Sequence, residues 1–99
     1  MRCGGGSEHH QPMSVFMVER YLVGWSADEV HELIERTNEL APALADDQVR
    51  HVASVYIEAD ETCLCLFDGP DSEHVQAANE RHHLPFGRIV QSELLVSMR

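Results

Sequence analysis

Two cysteines close together are the first candidates for chemistry in this chain. Cys63 and Cys65 form a Cys-x-Cys pair in a β-rich stretch, and side chains two residues apart on a strand point to the same face. Zinc ribbons and knuckles place their cysteines around a turn and need two further ligands. Free cysteines also pack as small apolar side chains, and two such positions on one strand hold the sulfurs too far apart for an unstrained disulfide. The pattern therefore favours packing over a zinc site.

Histidines give a second candidate site. The 99 residues include seven histidines, and His82 and His83 are consecutive, with Asn79 one helical turn before His83. Imidazole is a ligand of nickel, copper and zinc. Histidines at the end of a helix also interact favourably with its dipole, which explains them without a metal. We take Asn79, His82 and His83 as the candidate metal ligands.

The charged residues exclude several other chemistries. The chain has 17 acidic and 7 basic residues, a formal net charge of -10, and all the basic residues are arginine. Without lysine the chain can form no Schiff base, no pyridoxal phosphate anchor and no Walker-type phosphate loop. The negative charge disfavours binding to nucleic acid and to anionic membrane surfaces, since a polyanion repels both. We therefore expect neither as a partner.

Length and cysteine usage predict one small cytoplasmic domain. The chain has three cysteines, an odd number, and neither an apolar leader nor an apolar run near the roughly 18 residues of a membrane span. The glycine-rich, polar residues 1–12 are predicted to be a disordered tail, and its Cys3, His9 and His10 form no preorganised metal site. Residues 13–99 are predicted to form the domain.

Apolar periodicity and capping signals in that domain predict the order βαββαβ. Ser26 and Glu29 form a capping box at the start of the first helix, and Pro42 falls after its end. A turn at Asp60 and Glu61 joins two strands into a hairpin. The predicted elements are strands over 14–22, 49–58, 62–68 and 86–96, and helices over 26–41 and 72–83.

This order predicts a ferredoxin-like α+β fold, a four-stranded antiparallel sheet with both helices on one face and strands one and three in the centre. The turn pairs Val55 with Leu66 and Tyr56 with Cys65, and opposite side chains share a face. The aliphatic side predicted to lie under the helices carries Phe16, Val18, Val55, Ile57, Leu64, Leu66, Val90 and Leu94. The predicted open side carries Met17, Glu19, Tyr21, Ser54, Tyr56, Cys63, Cys65, Phe67, Gln91 and Glu93.

The predicted open side is too apolar for water and too polar for a core, which indicates a second subunit against it. We therefore predict a homodimer in which two sheets face each other as a dimeric α/β barrel. The polar residues would then line a shared pocket for a small ligand, or lie at the rim with no chemical role. The predicted pocket residues are Glu19, Tyr21, Tyr56, Cys63, Cys65, Gln91 and Glu93.

Several segments resemble a family of small bacterial proteins, a domain of unknown function often labelled nickel-binding. The resemblance rests on residues 15–22, on the Asp-Glu-Thr-Cys hairpin at 60–63 with the strand that follows, and on residues 75–81 with Leu84-Pro85-Phe86. It covers about residues 14–94. It implies a ferredoxin-like fold, dimerisation through the sheet and nickel as a cofactor.

The same resemblance shows where this chain departs from the nickel-binding branch, which has histidines in the first strand and His-x-x-x-His on the second helix. In this chain the first strand has Glu19-Arg20-Tyr21 in place of those histidines, and the second helix has Asn79 and His83 in place of the His-x-x-x-His pair. Replacing imidazole by carboxylate or amide weakens a nickel site.

Three functions stay open from the sequence. The first is a small dimeric binding module for a nickel-type metal or a small ligand on the open side of the sheet. The second is a small dimeric enzyme, monooxygenase- or isomerase-like, that uses a buried carboxylate with a raised pKa. Glu19, Tyr56 or Glu93 could supply its general acid or base if buried. The third is a regulatory module without catalysis.

Overall fold

The computed structural model describes residues 13–95 and 97. The predictions for the tail over residues 1–12, including Cys3, His9 and His10, lie outside the described residues, as does the predicted end of the last strand at Val96. No helix in the described part of the chain is long and apolar enough to cross a membrane.

The described residues form a four-stranded antiparallel sheet in the order β2-β3-β1-β4. This arrangement confirms the predicted ferredoxin-like α+β fold, with the first and third strands in the centre. The sheet of one chain is open and does not close into a barrel by itself. In chain order the elements are β1 (Met13–Tyr21), α1 (Ala27–Glu39), α2 (Ala41–Asp46), β2 (Arg50–Ile57), a 3-10 turn (Glu58–Asp60), β3 (Thr62–Asp68), α3 (Ser72–Arg81) and β4 (Arg88–Leu94).

The start of α1 is fixed by the predicted capping box. The Ser26 hydroxyl accepts a hydrogen bond from the Glu29 amide at 3.1 Å, and the Glu29 carboxylate accepts one from the Ser26 amide at 2.8 Å. Each bond satisfies an amide that the first helical turn leaves without a partner. The helix then packs Val30 and Leu33 into the core.

The short helix α2 was not predicted, because Pro42 was taken as the end of the first helix. Pro42 lies in the first turn of α2. Proline is tolerated there, since amides of the first turn have no helical partner. Leu44 packs α2 against the core. Leu40 is the C-cap of α1 and also the N-cap of α2.

The hairpin turn also differs from the prediction. The 3-10 turn and the left-handed residue Glu61 (φ 51°) form a four-residue connection in place of a two-residue turn. Ile57 consequently pairs with Thr62, and Tyr56 pairs with Cys63. The pairing moves by two residues, so the two predicted faces of the hairpin keep their members.

The larger correction concerns which hairpin face lies under the helices. In the central pair Phe16 is opposite Phe67 and Val18 is opposite Cys65, so these residues share one face and belong to the buried core beneath α1, α2 and α3. The prediction was right for β1 and wrong for β2, β3 and β4. The opposite face, called here the open face, carries Met17, Glu19, Tyr21, Val55, Leu64, Leu66, Arg88 and Val90.

The physical reason is that both faces of the hairpin are apolar enough to form a core. Two leucines favoured one face in the sequence, whereas the structure buries the face with Phe67 and the two cysteines. A bulge between His51 and Ala53 then turns both His51 and Ser54 toward the helices, because an extra residue reverses the alternation of a strand.

The capping box provides a test of the fold. Replacing Ser26 by Ala should lower the free energy of unfolding by about 1 kcal/mol, because the Glu29 amide loses its acceptor. Ser72→Ala is the matched control, since the cap of α3 is Asp71 and Ser72 is the first helical residue. Urea unfolding measures both, and an equal loss in the two variants would contradict the assigned cap.

Candidate functional site

The most unusual buried side chain is Arg20 on β1, which has 0% of its surface exposed. Its Nη1 donates to the Pro85 carbonyl at 2.6 Å, its Nη2 to Asn79 Oδ1 at 2.8 Å and its Nε to the Cys65 Sγ at 3.2 Å. The guanidinium also lies 5.8 Å from the centre of the Phe67 ring. None of these partners is a carboxylate, so the positive charge is met by dipoles, a thiol and an aromatic face.

Three elements hold Arg20 in this position. The alternation of β1 turns it inward with Val18. Asn79 is fixed on α3 because its Nδ2 donates to the Val75 carbonyl at 2.8 Å. The Pro85 carbonyl comes from the segment between α3 and β4. The guanidinium therefore ties the central strand to the helix layer.

The Cys65 thiol is surrounded by donors. Besides Arg20, the Ser54 hydroxyl donates to its Sγ at 3.1 Å, and the Cys63 Sγ lies 3.9 Å away. The hydrogen bond from Cys63 lowers the pKa of Cys65, and the positive charge of Arg20 and the Ser54 hydroxyl lower it further, against the cost of burial. The hydrogen bond to Cys65 and burial raise the pKa of Cys63. Of the two buried thiols, Cys65 beside the guanidinium therefore has the lowered pKa and Cys63 the raised one.

His51 extends this arrangement to the edge of the sheet. Its Nε2 lies 2.8 Å from the Ser54 Oγ and its Nδ1 lies 3.0 Å from Asn38 Oδ1 on α1. The Ser54 hydroxyl, which donates to Cys65, therefore links the His51 ring to the thiols. We call the connected residues Arg20, His51, Ser54, Cys63 and Cys65 the thiol network.

The thiol network reaches a cleft of about 410 Å³ between α1 and β2, called here the α1–β2 cleft. Ser54 and Cys63 contribute to its floor, and His31 and Glu35 lie one helical turn apart on its α1 wall. The cleft thus joins the buried thiols to an exposed pair of titratable side chains. Its lining residues are Val30, His31, Ile34, Glu35, Ser54, Tyr56 and Cys63.

The open face carries a different polar group. The Tyr21 hydroxyl donates to Glu19 Oε1, and Arg88 Nη2 donates to Glu19 Oε2 at 3.1 Å. The Tyr21 hydroxyl and then the Arg88 guanidinium lower the pKa of Glu19. Glu19 therefore stays ionised and lacks the raised pKa expected of a general acid.

The structure separates the residues predicted to share one pocket. The prediction of one common pocket is wrong, because its members lie on opposite faces of the sheet. The pairing of Phe16 with Phe67 sets the register that separates them. Glu19 and Tyr21 lie on the open face. Tyr56, Cys63 and Cys65 lie in or beside the thiol network and the α1–β2 cleft. Gln91 and Glu93 lie at exposed positions of β4 on the helix side.

The candidate metal ligands are also apart. Asn79 is buried and bonded to Arg20, whereas His82 Nε2 lies 3.2 Å from Asp47 Oδ2. His83 follows α3 in a left-handed conformation (φ 57°) and is exposed. Among residues 13–95 and 97, no three His, Cys, Asp or Glu side chains come together to hold a metal ion.

Sequence reasoning missed the centre of this site. Arg20 was noted only as part of the Glu19-Arg20-Tyr21 segment, although it shares the alternation of Phe16, Val18 and Leu22. An arginine at an inward position of a central strand is a signal that was available. The place of His31 beside a cleft depends on the packing of α1 on β2, which no local pattern in the sequence shows.

Comparison with known proteins agrees with the fold. Residues 16–91 match the model of a family described as nickel responsive protein SCO4226-like. The chain belongs to this family. The crystal structure of SCO4226 from Streptomyces coelicolor A3(2) superposes with a TM-score of 0.64 at 25% identity, over 85% of this chain and 99% of that one. No curated protein matches the chain.

Membership in the SCO4226-like family confirms the resemblance found in the sequence. It identifies a small α+β domain family named for a response to nickel. The part of the chain that matches includes the whole thiol network and the α1–β2 cleft.

Removal of the buried guanidinium tests its role. Arg20→Met should lower the free energy of unfolding by about 3 kcal/mol, because Asn79, Pro85 and Cys65 lose their donor inside the protein. Arg88→Met is the control, since it breaks an ion pair with Glu19 in which the arginine is exposed, and such a pair contributes little to stability. Denaturant unfolding measures the two losses, and a similar small loss in both variants would contradict the assignment.

The same network gives a pH dependence. The folded pKa of Cys65 lies below the unfolded thiol value of about 8.5. Its contribution to stability is therefore complete above about pH 8.5 and is lost as the pH falls through the folded pKa. The stability difference between wild type and Cys65→Ser should shrink on acidification, in unfolding curves recorded across this range. A constant difference would count against a thiolate at Cys65.

Proposed function

We propose that this chain is a homodimeric binding module that holds a small ligand in the α1–β2 cleft. The observation that carries the proposal is the cleft itself, a volume of about 410 Å³ with an apolar wall and convergent polar groups. Small-ligand sites are concave and largely apolar, with few polar groups that fix orientation. The proposed ligand site is thus the α1–β2 cleft and not the open side of the sheet, where the sequence predicted the ligand.

The lining of the cleft indicates the kind of ligand. Val30 and Ile34 supply apolar surface, and Tyr56 adds an aromatic side chain. Glu35 is a hydrogen-bond acceptor with a negative charge, and the chain as a whole carries a net charge of -10. An apolar body with one cationic or donor group therefore suits the cleft better than an anion.

Nickel is the ligand suggested by the family description. Nickel sites use imidazole nitrogens and several ligands in a fixed geometry. His51 has both ring nitrogens within hydrogen-bond distance of Asn38 and Ser54, and His82 is paired with Asp47. The described residues therefore do not fit a preorganised nickel site.

The open face supports the homodimer. The helices pack on the other side, while Tyr21 and Val55 are each 54% exposed. Met17, Leu64, Leu66 and Val90 lie beside them and are half-buried. A contiguous apolar surface on a small domain marks an interface, and two sheets pack face to face by such surfaces.

Chemical-shift mapping tests the ligand site. Benzylamine, with a phenyl ring and an ammonium group, should shift the amide resonances of residues that line the α1–β2 cleft, whereas benzoate at the same concentration should not. Ile34→Trp should abolish the shifts by filling the cleft, and Ala77→Trp, on exposed α3, is the control. Shifts confined to the open face, or equal shifts with benzoate, would contradict the proposed site.

Sedimentation equilibrium tests the interface. Leu66→Glu should convert the dimer to a monomer, because a carboxylate would be buried without a partner. Ala77→Glu adds the same charge on the exposed surface of α3 and should leave the dimer intact. Added salt should strengthen the wild-type dimer, since each copy carries a net charge of -10. A monomeric wild type, or equal dissociation of both variants, would exclude this interface.

A further inference from the structure

Three polar side chains beside the α1–β2 cleft are connected in a row. The Ser54 Oγ lies 2.8 Å from His51 Nε2, and His51 Nδ1 lies 3.0 Å from Asn38 Oδ1. A hydroxyl within about 3.2 Å of a histidine whose other nitrogen is held by a third polar group is the arrangement of an activated nucleophile. His51 and Ser54 come from β2 and Asn38 from α1. The packing of α1 on β2 therefore assembles these residues, called here the Ser-His-Asn row.

Ser54 is the member of the row that lines a cavity. It contributes to the floor of the α1–β2 cleft and is half-buried. Val30 and Ile34 line the same cleft, and an apolar lining that excludes water strengthens hydrogen bonds to reacting atoms. The side chains of Cys63 and Cys65 have no exposed surface. The Ser54 hydroxyl is therefore the nucleophile that a molecule bound in the cleft would meet.

The hydrogen bonds of the row allow the proton transfer that a serine nucleophile needs. The neutral His51 ring has one tautomer in which Nδ1–H donates to Asn38 Oδ1 and Nε2 accepts a proton. The Ser54 hydroxyl donates to the Cys65 Sγ at 3.1 Å. A hydroxyl hydrogen rotates about the carbon–oxygen bond to suit its acceptor. This rotation turns it from the sulfur to His51 Nε2 without moving a heavy atom.

The edge position of β2 provides a donor for a reacting carbonyl group. The carbonyl oxygen gains negative charge during attack and needs a hydrogen bond there. In the described sheet β2 is an edge strand. Every second amide of an antiparallel edge strand points away from its neighbour and has no strand partner. Either Ser54 or Val55 therefore presents an amide at the place where the oxygen would lie.

We propose that the Ser-His-Asn row makes the α1–β2 cleft an acyl-transfer site that hydrolyses small carboxylic esters. This inference rests on the proposed function, since it uses the same cleft and assigns a reaction to the ligand bound there. Ser54 is the nucleophile and His51 the general base. Asn38 acts through His51 and is a positioning residue.

The reaction has two steps, and one proton moves back and forth in each. The Ser54 Oγ attacks the carbonyl carbon, and its proton passes to His51 Nε2. The carbon–oxygen bond to the alcohol breaks, and the alcohol leaves with that proton, so the acyl group stays on Ser54. Water then attacks the acyl group while His51 takes its proton and returns it to the Ser54 Oγ. The products are a carboxylic acid and the free serine.

The lining of the cleft restricts the ester. Val30, Ile34 and Tyr56 favour an apolar body. Glu35 and the net charge of -10 repel an ester that carries a carboxylate. An uncharged or cationic ester is therefore the expected substrate class.

The test is hydrolysis of 4-nitrophenyl acetate by the full chain, followed by the release of 4-nitrophenol. The chain has no lysine, so no lysine amine competes for the acetyl group. We expect saturable hydrolysis and, by tandem mass spectrometry, an acetyl group on Ser54. The 4-nitrophenyl monoester of succinate should be accelerated less, relative to its hydrolysis without protein. Ser54→Ala should lower kcat/KM by at least about 100-fold, and Ser72→Ala on α3 is the matched control.

Variants of the other two residues separate a chemical role from a structural one. His51→Gln should lower kcat as Ser54→Ala does, with His74→Gln on α3 as the control. Asn38→Ala should lower kcat and leave KM unchanged, and Asn38→Asp should restore most of kcat, because a carboxylate also accepts from His51 Nδ1–H. Circular dichroism identifies the variants that are folded, and only these are compared.

The outcomes decide between this inference and the proposed function. Absence of hydrolysis, hydrolysis retained by a folded Ser54→Ala, or acetyl groups confined to other residues would overturn the acyl-transfer site. Benzylamine shifts in the cleft together with any of these results would leave the proposed ligand site intact. Hydrolysis that needs both Ser54 and His51, without benzylamine shifts and without inhibition by benzylamine, would support acyl transfer and contradict the cationic ligand.

Discussion

A buried guanidinium must have partners, and this constraint organises the domain. Arg20 has no exposed surface, yet its charge and donors need acceptors that the core normally lacks. Asn79, Pro85 and Cys65 supply them from α3, the segment after it and β3. Each partner is fixed by its own element, so the register of the central strands and the position of α3 are coupled to one side chain.

The same constraint explains why the cysteine face is buried rather than the leucine face. Leu64 and Leu66 would give a more hydrophobic core, but they offer no acceptor to Arg20. Burying Cys65 opposite Val18 places a polarizable, ionisable sulfur beside the guanidinium. The hydrophobic effect alone would allow either face of the hairpin to be buried. The need of Arg20 for a hydrogen-bond acceptor agrees with burial of the cysteine face.

The two faces of the sheet thereby receive different roles. The helix side contains the thiol network and the α1–β2 cleft, and the open face keeps a largely apolar set of strand residues. The architecture that this chain shares with SCO4226 is a scaffold, and what such a scaffold binds depends on the side chains placed in it. Among the described residues, His51 and His82 lie in separate hydrogen-bonded pairs, whereas the Sγ atoms of Cys63 and Cys65 are 3.9 Å apart.

The sequence by itself determined the order of elements, the sheet topology and the capping of α1, because these depend on local periodicity and on short-range hydrogen bonds. It did not determine α2, since a proline after a helix signals either a stop or a new first turn. Nor did it determine which hairpin face is inside, because both are apolar. The tertiary structure decided that through the pairing of Phe16 with Phe67 and the bulge that turns His51 and Ser54 inward. The site depends on contacts between residues distant in the chain, such as Arg20 and Cys65, and no local pattern encodes them.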